Sequence, residues 1–248
     1  MQAPIIRTEE LIKQFGGNRA VNGVSLEVSG GTLHSIIGPN GAGKTTLFNL
    51  LTKDFPPTSG RIFLYGEDIT REPPHAVARR GVGRSYQITS VFQNMTVGQN
   101  VWVALYRGER QGFLNFWRQA DLDTSLREEA MEILSRVRLD ERADRLASEL
   151  SYGDQRLLEI AVTLATKPRL LLLDEPTAGL SHEETESVSR LIAGLKGRYS
   201  ILMIEHKMDV VMRISDRLSV MHFGSIIAEG APEEVARDPG VRKAYLGN

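Results

Sequence analysis

Short apolar runs alternate with longer amphipathic stretches along most of the chain. Apolar runs of four or five residues between polar or turn-forming residues are typical of buried strands. Helical patterns separate most of these runs, so the sequence predicts an α/β fold with a mainly parallel sheet covered by helices. The early strands and the segment GRIFLYGEDI indicate an antiparallel addition to this core. The strand candidates are residues 25–28, 33–37, 62–65, 170–173, 201–204 and 218–221.

A helical region interrupts this alternation. Strand signals fade between residues 90 and 150, and residues 124–139 (TSLREEAMEILSRVRL) have the i, i+3, i+4, i+7 apolar spacing of an amphipathic helix. We therefore expect one domain with two lobes. Its parts would be an α/β core with a β subdomain (residues 1–89 and 156–230), a helical subdomain (90–155) and a C-terminal helical tail (231–248).

The predicted helical subdomain is rich in aromatic residues. Between residues 90 and 150 it holds both tryptophans and six of the chain's 16 aromatic side chains. Two interpretations stay open, because aromatic residues can fill a small core and are also enriched at protein interfaces. These residues are Phe92, Trp102, Tyr106, Phe113, Phe116 and Trp117.

Composition narrows the function classes. Apolar residues make up 41% of 248 positions, which is enough for a substantial core. The formal net charge is −1, so no overall field attracts nucleic acid or anionic lipid. The lack of cysteine excludes disulfides and thiolate zinc sites and fits a reducing compartment. No stretch reaches the ~18 apolar residues of a membrane span, and Arg7 and Glu9 come too early for a secretory signal. We expect a soluble chain whose membrane role, if it has one, depends on a partner.

The segment SIIGPNGAGKTTLFNLL has the chemistry of a phosphate cradle. It matches the pattern G-x-x-x-x-G-K-[ST], between a strand candidate and a helix candidate at residues 46–51. Glycines let backbone N–H groups face a polyphosphate, lysine adds a positive charge, and a threonine hydroxyl can bind Mg²⁺. The alternative is an ordinary glycine-rich turn before a helix, which the agreement of pattern and context disfavours. The predicted nucleotide-binding residues are Gly38, Pro39, Asn40, Gly41, Ala42, Gly43, Lys44, Thr45 and Thr46.

Two acidic residues follow the most apolar strand candidate. RLLLLDEPTAGLS ends its leucine run in Asp174 and Glu175, and ligand crevices lie beyond the carboxyl ends of such strands. We expect Asp174 to hold Mg²⁺ and Glu175 to orient the water that attacks the γ-phosphate. His206, at the end of YSILMIEH, can bind that phosphate or position the water, although a lone histidine there is more often a surface residue. Gln87, after VGRSY, is an amide that can bridge metal and water.

Five motifs occur in one order along the chain: GPNGAGKTT, SYQ, LSYGDQ, LLLLDEPTAGLS and IEH. This set resembles the nucleotide-binding subunits of ABC transporters and covers nearly the whole chain. The resemblance implies a P-loop NTPase (RecA-like) core, ATP and Mg²⁺ as cofactors, and two subunits that enclose two ATP molecules head to tail. Hydrolysis at such sites would make the chain an Mg-dependent ATP hydrolase.

The resemblance also implies roles for single residues. Phe15 would stack on adenine, unless it is an ordinary core or edge-strand phenylalanine. Gln87 would sense Mg²⁺ and touch the membrane subunit, and His206 would be the switch histidine. Ser151 and Gly153 would contact the γ-phosphate that the opposite subunit holds.

Two motifs depart from the family's usual pattern. The signature is usually LSGGQ, but here Tyr152 replaces the first glycine and Asp154 replaces the glutamine. A carboxylate near phosphate would weaken closure of the dimer unless Asp154 points away. Ser181 stands where an aspartate or asparagine often crosses the dimer interface.

Longer segments, including RRGVGRSYQITSVFQNMTVGQNV and the ending AYLG, resemble the ATPase subunits of branched-chain amino acid importers. That subfamily also serves amides, urea and aromatic acids. The implied partners are a second ATPase subunit, identical or paralogous, integral membrane permease subunits and, indirectly, a periplasmic solute-binding protein, with no nucleic acid. The chain would lie at the cytoplasmic face of the inner membrane. ATP binding would close the dimer, and hydrolysis would open it.

Two other function classes compete with the importer ATPase. Soluble ABC-type ATPases that act on ribosomes or DNA usually carry two nucleotide domains, a long coiled coil or basic arms, none of which this sequence contains. A P-loop kinase would leave LSYGDQ and IEH unexplained. The importer ATPase is therefore the leading prediction.

Overall fold

The computed structural model describes residues 4–85, 91–109 and 119–246. The chain forms two compact units. Unit 1 consists of Met1–Arg84, Arg169–Pro176 and Ile192–Asn248, and unit 2 of Ser85–Pro168 and Thr177–Leu191. The helix that follows Ser151 thus belongs to unit 2, whereas the sequence prediction placed residues 156–230 in the core. The single domain with its predicted boundaries stays a prediction.

The described residues contain eleven strands and nine α-helices. The strands are β1 (Pro4–Phe15), β2 (Asn18–Val24), β3 (Glu27–Ser29), β4 (Leu33–Ile37), β5 (Ser59–Leu64), β6 (Glu67–Asp68), β7 (Val82–Ser85), β8 (Leu170–Asp174), β9 (Ser200–Ile204), β10 (Arg217–His222) and β11 (Ser225–Gly230). The helices are α1 (Lys44–Leu51), α2 (Pro74–Arg79), α3 (Val97–Glu109), α4 (Gln119–Arg136), α5 (Tyr152–Ala165), α6 (His182–Leu195), α7 (Met208–Ile214), α8 (Pro232–Val235) and α9 (Pro239–Leu246).

A six-stranded sheet with the order β11-β10-β4-β9-β8-β7 carries the site. The neighbours β10, β4, β9 and β8 are parallel, and β11 is antiparallel to β10. Every residue of β4, β8 and β9 is buried, as expected for parallel strands that are covered on both faces. These apolar runs confirm the predicted α/β core.

A second sheet in unit 1 is antiparallel. Its order is β2-β1-β5-β6, and β3 also pairs with β1. This sheet confirms the predicted antiparallel addition. One apolar cluster joins residues of both sheets to α1, where Leu47 and Phe48 are fully buried beside Ile62 and Leu172. Burial of a phenylalanine or leucine side chain contributes about 2 kcal/mol, so this cluster fixes α1 and the segment before it.

Unit 2 is mainly helical in its described part. Helices α3, α4 and α5 pack against one another and bury Val101, Leu134 and Leu158. Helix α4 confirms the amphipathic helix, although it spans Gln119–Arg136 rather than residues 124–139. It ends early because the chain turns at Arg138, whose φ is 60°.

The strand predictions succeed best at the buried strands of the six-stranded sheet. The candidates at residues 33–37, 170–173, 201–204 and 218–221 coincide with β4, β8, β9 and β10 within a residue at each end. The candidates at 62–65 and 25–28 only overlap β5 and β3. Strands β1 and β2 were missed because polar residues and register shifts break the alternation of β1. In residues 4–85, 91–109 and 119–246, no helix has both the length and the apolar character needed to cross a membrane.

A buried histidine lies on β4 and contacts the neighbouring strand β10. His34 on β4 is fully buried, and its Nε2 lies 2.7 Å from Ser219 Oγ on β10. Ser219 donates its hydroxyl proton to Glu229 at 2.8 Å, so Nε2 is the donor to Ser219. Burial lowers the pKa of His34 to about 4, an effect that Glu229 partly offsets and Arg217 increases. The folded protein therefore holds this imidazole neutral.

The neutral His34 makes stability depend on pH. Above pH 6.5 the imidazole is neutral in both states, whereas between pH 6.5 and about 4 only the unfolded chain binds the proton. From pH 7.5 to pH 4.5 the wild type should lose about 2.5 kcal/mol more unfolding free energy than His34→Gln. Urea denaturation at the two pH values measures both losses. Equal losses in the two proteins would contradict the buried neutral histidine.

Candidate functional site

The carboxyl ends of three buried strands lie side by side in unit 1. Ile36 on β4 and Asp174 on β8 both pair with Ile204, the last residue of β9. The glycine-rich segment follows β4, Asp174 ends β8, and His206 follows β9. The Glu175 N–H donates to the Ile204 carbonyl at 2.9 Å, which fixes the backbone just beyond β8. The parallel pairing thus gathers candidate residues from three distant parts of the sequence at one sheet edge.

Two glycines of the glycine-rich segment are required by close backbone contacts. A Cβ atom on Gly38 would lie 2.2 Å from the Met221 carbonyl oxygen, and one on Gly43 would lie 2.1 Å from the Ala20 carbonyl oxygen. Gly43 also has a φ of 99° and caps α1. No side chain fits in either place, so these two positions hold the segment tightly between β2 and β10.

Lys44 begins α1 and turns back over the segment. Its Nζ donates to the carbonyl oxygens of Gly38 at 2.7 Å and Pro39 at 3.0 Å, and the residue is 5% exposed. Burial lowers the pKa of Lys44, and the nearby carboxylates of Glu175 and Asp174 partly offset this. Beside it lies a cavity of about 440 Å³. The cavity is lined by Asn18, Arg19, Ala20, residues 40–46, Glu175 and Phe223.

Asp174 is a buried carboxylate with two different oxygens. Its Oδ2 accepts a hydrogen bond from Arg84 Nη2 at 2.9 Å. Its Oδ1 is buried and has no hydrogen-bond partner among the described residues. Burial raises the pKa of Asp174, and the Arg84 guanidinium acts against that rise. An unpartnered buried oxygen is costly in an apolar setting, so Oδ1 is suited to a cation.

Glu175 and His206 contact each other beyond the sheet edge. His206 Nε2 lies 2.5 Å from Glu175 Oε1. Glu175 has a φ of 51°, which is uncommon for a residue with a Cβ atom and costs of order 1 kcal/mol or more. The His206 N–H is held by Glu205 Oε2 at 2.6 Å. These contacts therefore fix the positions of Glu175 and His206. Glu175 directly follows Asp174 in sequence, and its negative charge acts on the Lys44 ammonium.

Ser151 and Gly153 lie at the start of α5 in unit 2. Ser151 is the N-cap residue: its Oγ accepts from the Asp154 N–H at 3.1 Å and donates to Asp154 Oδ2 at 3.0 Å. Arg142 donates to Asp154 Oδ1 at 2.6 Å. The Asp154 carboxylate is thus held by an arginine of the same unit, unit 2.

Glu184 joins Gly153 to Ser181 within unit 2. Glu184 Oε1 accepts from the Gly153 N–H at 3.1 Å, and Oε2 accepts from the Ser181 N–H and hydroxyl at 3.0 and 2.9 Å. A Cβ atom on Gly153 would lie 2.7 Å from Glu184 Oε1, so this contact requires glycine. Ser181 and Glu184 also form the start of α6, in the S-x-x-E arrangement of a capping box.

Some predicted residues are not gathered at the sheet edge. Phe15 ends β1, is 46% exposed, and packs edge-on against Phe55 with ring centroids 5.7 Å apart. The described residues that line the cavity do not include it. Gln87 and three of the six aromatic residues (Phe113, Phe116 and Trp117) lie outside the described residues. Of the others, Trp102 stacks on Tyr106 at 5.1 Å, and Phe92 is 55% exposed.

Sequence reasoning missed Arg84 and Glu184. The signal for Arg84 was a lone charge in the short strand VGRS, where a buried arginine needs an anionic partner. The signal for Glu184 was the spacing Ser-x-x-Glu before a helical pattern. The Arg84–Asp174 and Glu184–Gly153 contacts needed the folded chain, because the partners lie 90 and 31 residues apart in sequence.

The oxygen donors at the sheet edge fit a hard divalent cation. Asp174 Oδ1 is an unpartnered buried acceptor, and the exposed Thr45 lines the cavity. Among the described residues no group of three or more His, Cys, Asp and Glu could form a complete metal cage. Mg²⁺ is commonly held by one or two carboxylates together with substrate phosphates, which matches this sparse set.

Known proteins share both the sequence and the fold of this chain. The ABC transporter family model matches residues 21–178, and the model of the branched-chain amino acid ATP-binding cassette transporter matches residues 225–248. The high-affinity branched-chain amino acid transport ATP-binding protein BraF of Pseudomonas aeruginosa is 45% identical, over 100% of this chain and 99% of its own. LivG of Escherichia coli K12, with the same description, is 42% identical over the same shares.

A solved structure extends the likeness to three dimensions. The ADP conformation of MJ1267, an ATP-binding cassette of an ABC transporter, has a TM-score of 0.86 and 33% identity, over 100% of both chains. The family match, the full-length relatives and this fold agree with the α/β prediction. The chain therefore belongs to the ABC transporter family, as an ATP-binding subunit of the kind that binds nucleotide and hydrolyses ATP.

Proposed function

We propose that the sheet edge of unit 1 binds ATP with Mg²⁺ and hydrolyses its γ-phosphate to drive uptake of a small solute through separate membrane subunits. The observation that carries this proposal is the meeting of a phosphate-binding backbone, a buried carboxylate and a Glu–His pair at the ends of three parallel strands. Phosphoryl transfer is catalysed mainly by positioning and charge, which such an edge can supply.

Each residue has a distinct task in the proposed reaction. The N–H groups at the start of α1 and the Lys44 ammonium would hold the phosphates. Thr45 and Asp174 would hold Mg²⁺, which neutralises phosphate charge when bound. Glu175 would orient the attacking water and accept its proton, while His206 keeps the Glu175 carboxylate in place through their 2.5 Å contact. Gln87 would sense Mg²⁺, and Phe15 would stack on adenine.

A second copy or a paralogue would complete each site with its Ser151 and Gly153. The exposed position of Ser151 at the start of α5 supports this, because helix N-termini favour anions. The Arg142–Asp154 pair supports it too, since the charge of Asp154 is neutralised within its own unit. The Ser151 hydroxyl would have to turn from Asp154 to the phosphate.

The proposed solute is a branched-chain amino acid or a related small molecule. The names of BraF and LivG and the family match at residues 225–248 support that choice. The proposed partners are integral membrane permease subunits and, through them, a periplasmic binding protein. The chain would then lie at the cytoplasmic face of the membrane.

Glu175→Gln tests the proposed base. The amide cannot accept the proton of the attacking water, so the hydrolysis rate should fall about 100-fold or more, the usual contribution of a general base. The affinity for labelled ATP should stay unchanged, because the side chain is not a phosphate ligand. Phosphate release and a binding titration measure the two quantities, and size-exclusion chromatography with ATP should show a trapped dimer.

Glu183→Gln is the matched control, because it makes the same change at an exposed position of α6. It should hydrolyse ATP at the wild-type rate. Wild-type hydrolysis by Glu175→Gln would remove Glu175 from the role of base.

Purification of the tagged chain from detergent-solubilised membranes of its host tests the proposed partners. Polytopic membrane proteins should be recovered in a fixed ratio to the chain, since the coupling needs a stable complex. The ratio is measured by quantitative mass spectrometry. Recovery of ribosomes or nucleic acid in their place would favour the soluble ATPase and contradict the importer.

A further inference from the structure

Arg84 on β7 has a buried side chain in unit 1. Its side chain is only 6% exposed. Nη2 donates to Asp174 Oδ2 at 2.9 Å, and Nη1 donates to Asn49 Oδ1 at 2.6 Å and to Asp54 Oδ2 at 3.1 Å. A guanidinium in this position joins the end of β8 to the end of α1, the helix that the phosphate cradle begins.

Two carboxylates share the single positive charge of Arg84. Asp174 is almost fully buried, with 2% side-chain exposure, while Asp54 is 33% exposed and can be partly stabilised by water. The buried carboxylate therefore depends on the arginine more than the outer one does, since removing one partner of a buried pair leaves an uncompensated charge. Asp54 in turn neutralises Arg84, which reduces its repulsion of a cation nearby.

The hydrogen bond from Arg84 also fixes the direction of the Asp174 carboxylate. With Oδ2 held by Arg84, the carboxylate cannot rotate about its last bond without breaking a 2.9 Å hydrogen bond. Its other oxygen, Oδ1, is left buried and without a partner among the described residues. The same carboxylate thus has one anchored oxygen and one oxygen without a hydrogen-bond partner among the described residues.

We propose that Arg84 is a positioning residue that orients Asp174 for the divalent cation and ties it to the nucleotide-binding helix α1. The inference rests on the proposed Mg–ATP function. Groups that hold a ligating carboxylate from behind usually change metal affinity about 10- to 100-fold when they are removed. Arg84 also lies three residues before Gln87 in sequence, so one segment supplies both residues.

The test measures metal affinity apart from activity. The full-length protein is loaded with a non-hydrolysable ATP analogue, and Mn²⁺ is titrated in place of Mg²⁺ with free Mn²⁺ read by electron paramagnetic resonance. Affinity for the labelled analogue is measured separately in EDTA. The variants are Arg84→Met and Arg84→Lys, with Arg80→Met as the matched control, because Arg80 also bridges two carboxylates (Glu67 and Glu72) but outside the site.

Arg84→Met should bind Mn²⁺ about tenfold or more weakly, while its affinity for the analogue in EDTA stays within about twofold of the wild type. In Arg84→Lys the ammonium is a point charge that cannot reach all the acceptors together. The Mn²⁺ affinity of this variant should therefore lie between those of Arg84→Met and the wild type. Arg80→Met should match the wild type in both measurements.

Unchanged or tighter Mn²⁺ binding by Arg84→Met would overturn the proposal, because Arg84 would then be neutral toward the metal or compete with it. An equal loss in EDTA would also overturn it, since the whole cradle would be distorted. If Arg84→Met does not fold, Arg84→Lys decides, and wild-type Mn²⁺ affinity in that variant overturns the proposal. A wild-type protein that gains no analogue affinity from Mn²⁺ would instead contradict the proposed Mg–ATP function.

Discussion

The parallel pairing of β4, β9 and β8 is the constraint on which the site depends. Parallel strands end at the same edge, so whatever follows them in sequence must meet there. The three strands are buried along their whole length, and they pair in parallel in one continuous register. A slip of one residue would move Asp174 away from Ile204 and separate Glu175 from His206. The hydrophobic core of unit 1 is thus the part of the molecule that sets the geometry of its polar edge.

The mutual stabilisation of buried charges is a second constraint on the site. Asp174, Lys44 and Arg84 are all buried or nearly so, and each would be costly without the others. Lys44 turns back on the carbonyl oxygens of its own segment, and Arg84 spreads its donors over β8 and α1. The cluster leaves two groups with capacity for a ligand: the Asp174 Oδ1 atom and the backbone at the start of α1. A cation and a polyphosphate are the complementary pair for these groups.

Much of this was predictable from local sequence, because local patterns determine buried strands and phosphate cradles. The runs LHSII, LLLLD and SILMI are mostly apolar, so their strands and their carboxyl ends could be placed. Strand β1 could not, since polar residues and register shifts interrupt its alternation. The ion pair of Arg84 with Asp174 and the hydrogen bond of Glu184 with Gly153 could not be predicted either, because long-range contacts leave no periodic signal. Phe15 packs against Phe55 in the structure. Its proposed stacking on adenine rests on the resemblance to the family.

The central claim is that one chain supplies only half of a hydrolysis site: the cradle for one nucleotide and the Ser151–Gly153 segment for another. Mixing two defective variants tests this most directly. Lys44→Ala lacks the phosphate charge, and Gly153→Asp places a side chain where Glu184 lies 2.7 Å from the Cβ position. Each variant alone should be nearly inactive, whereas a 1:1 mixture should regain roughly a quarter of the wild-type rate, because half of the dimers carry one intact site. A mixture no more active than its separate components would contradict the shared site.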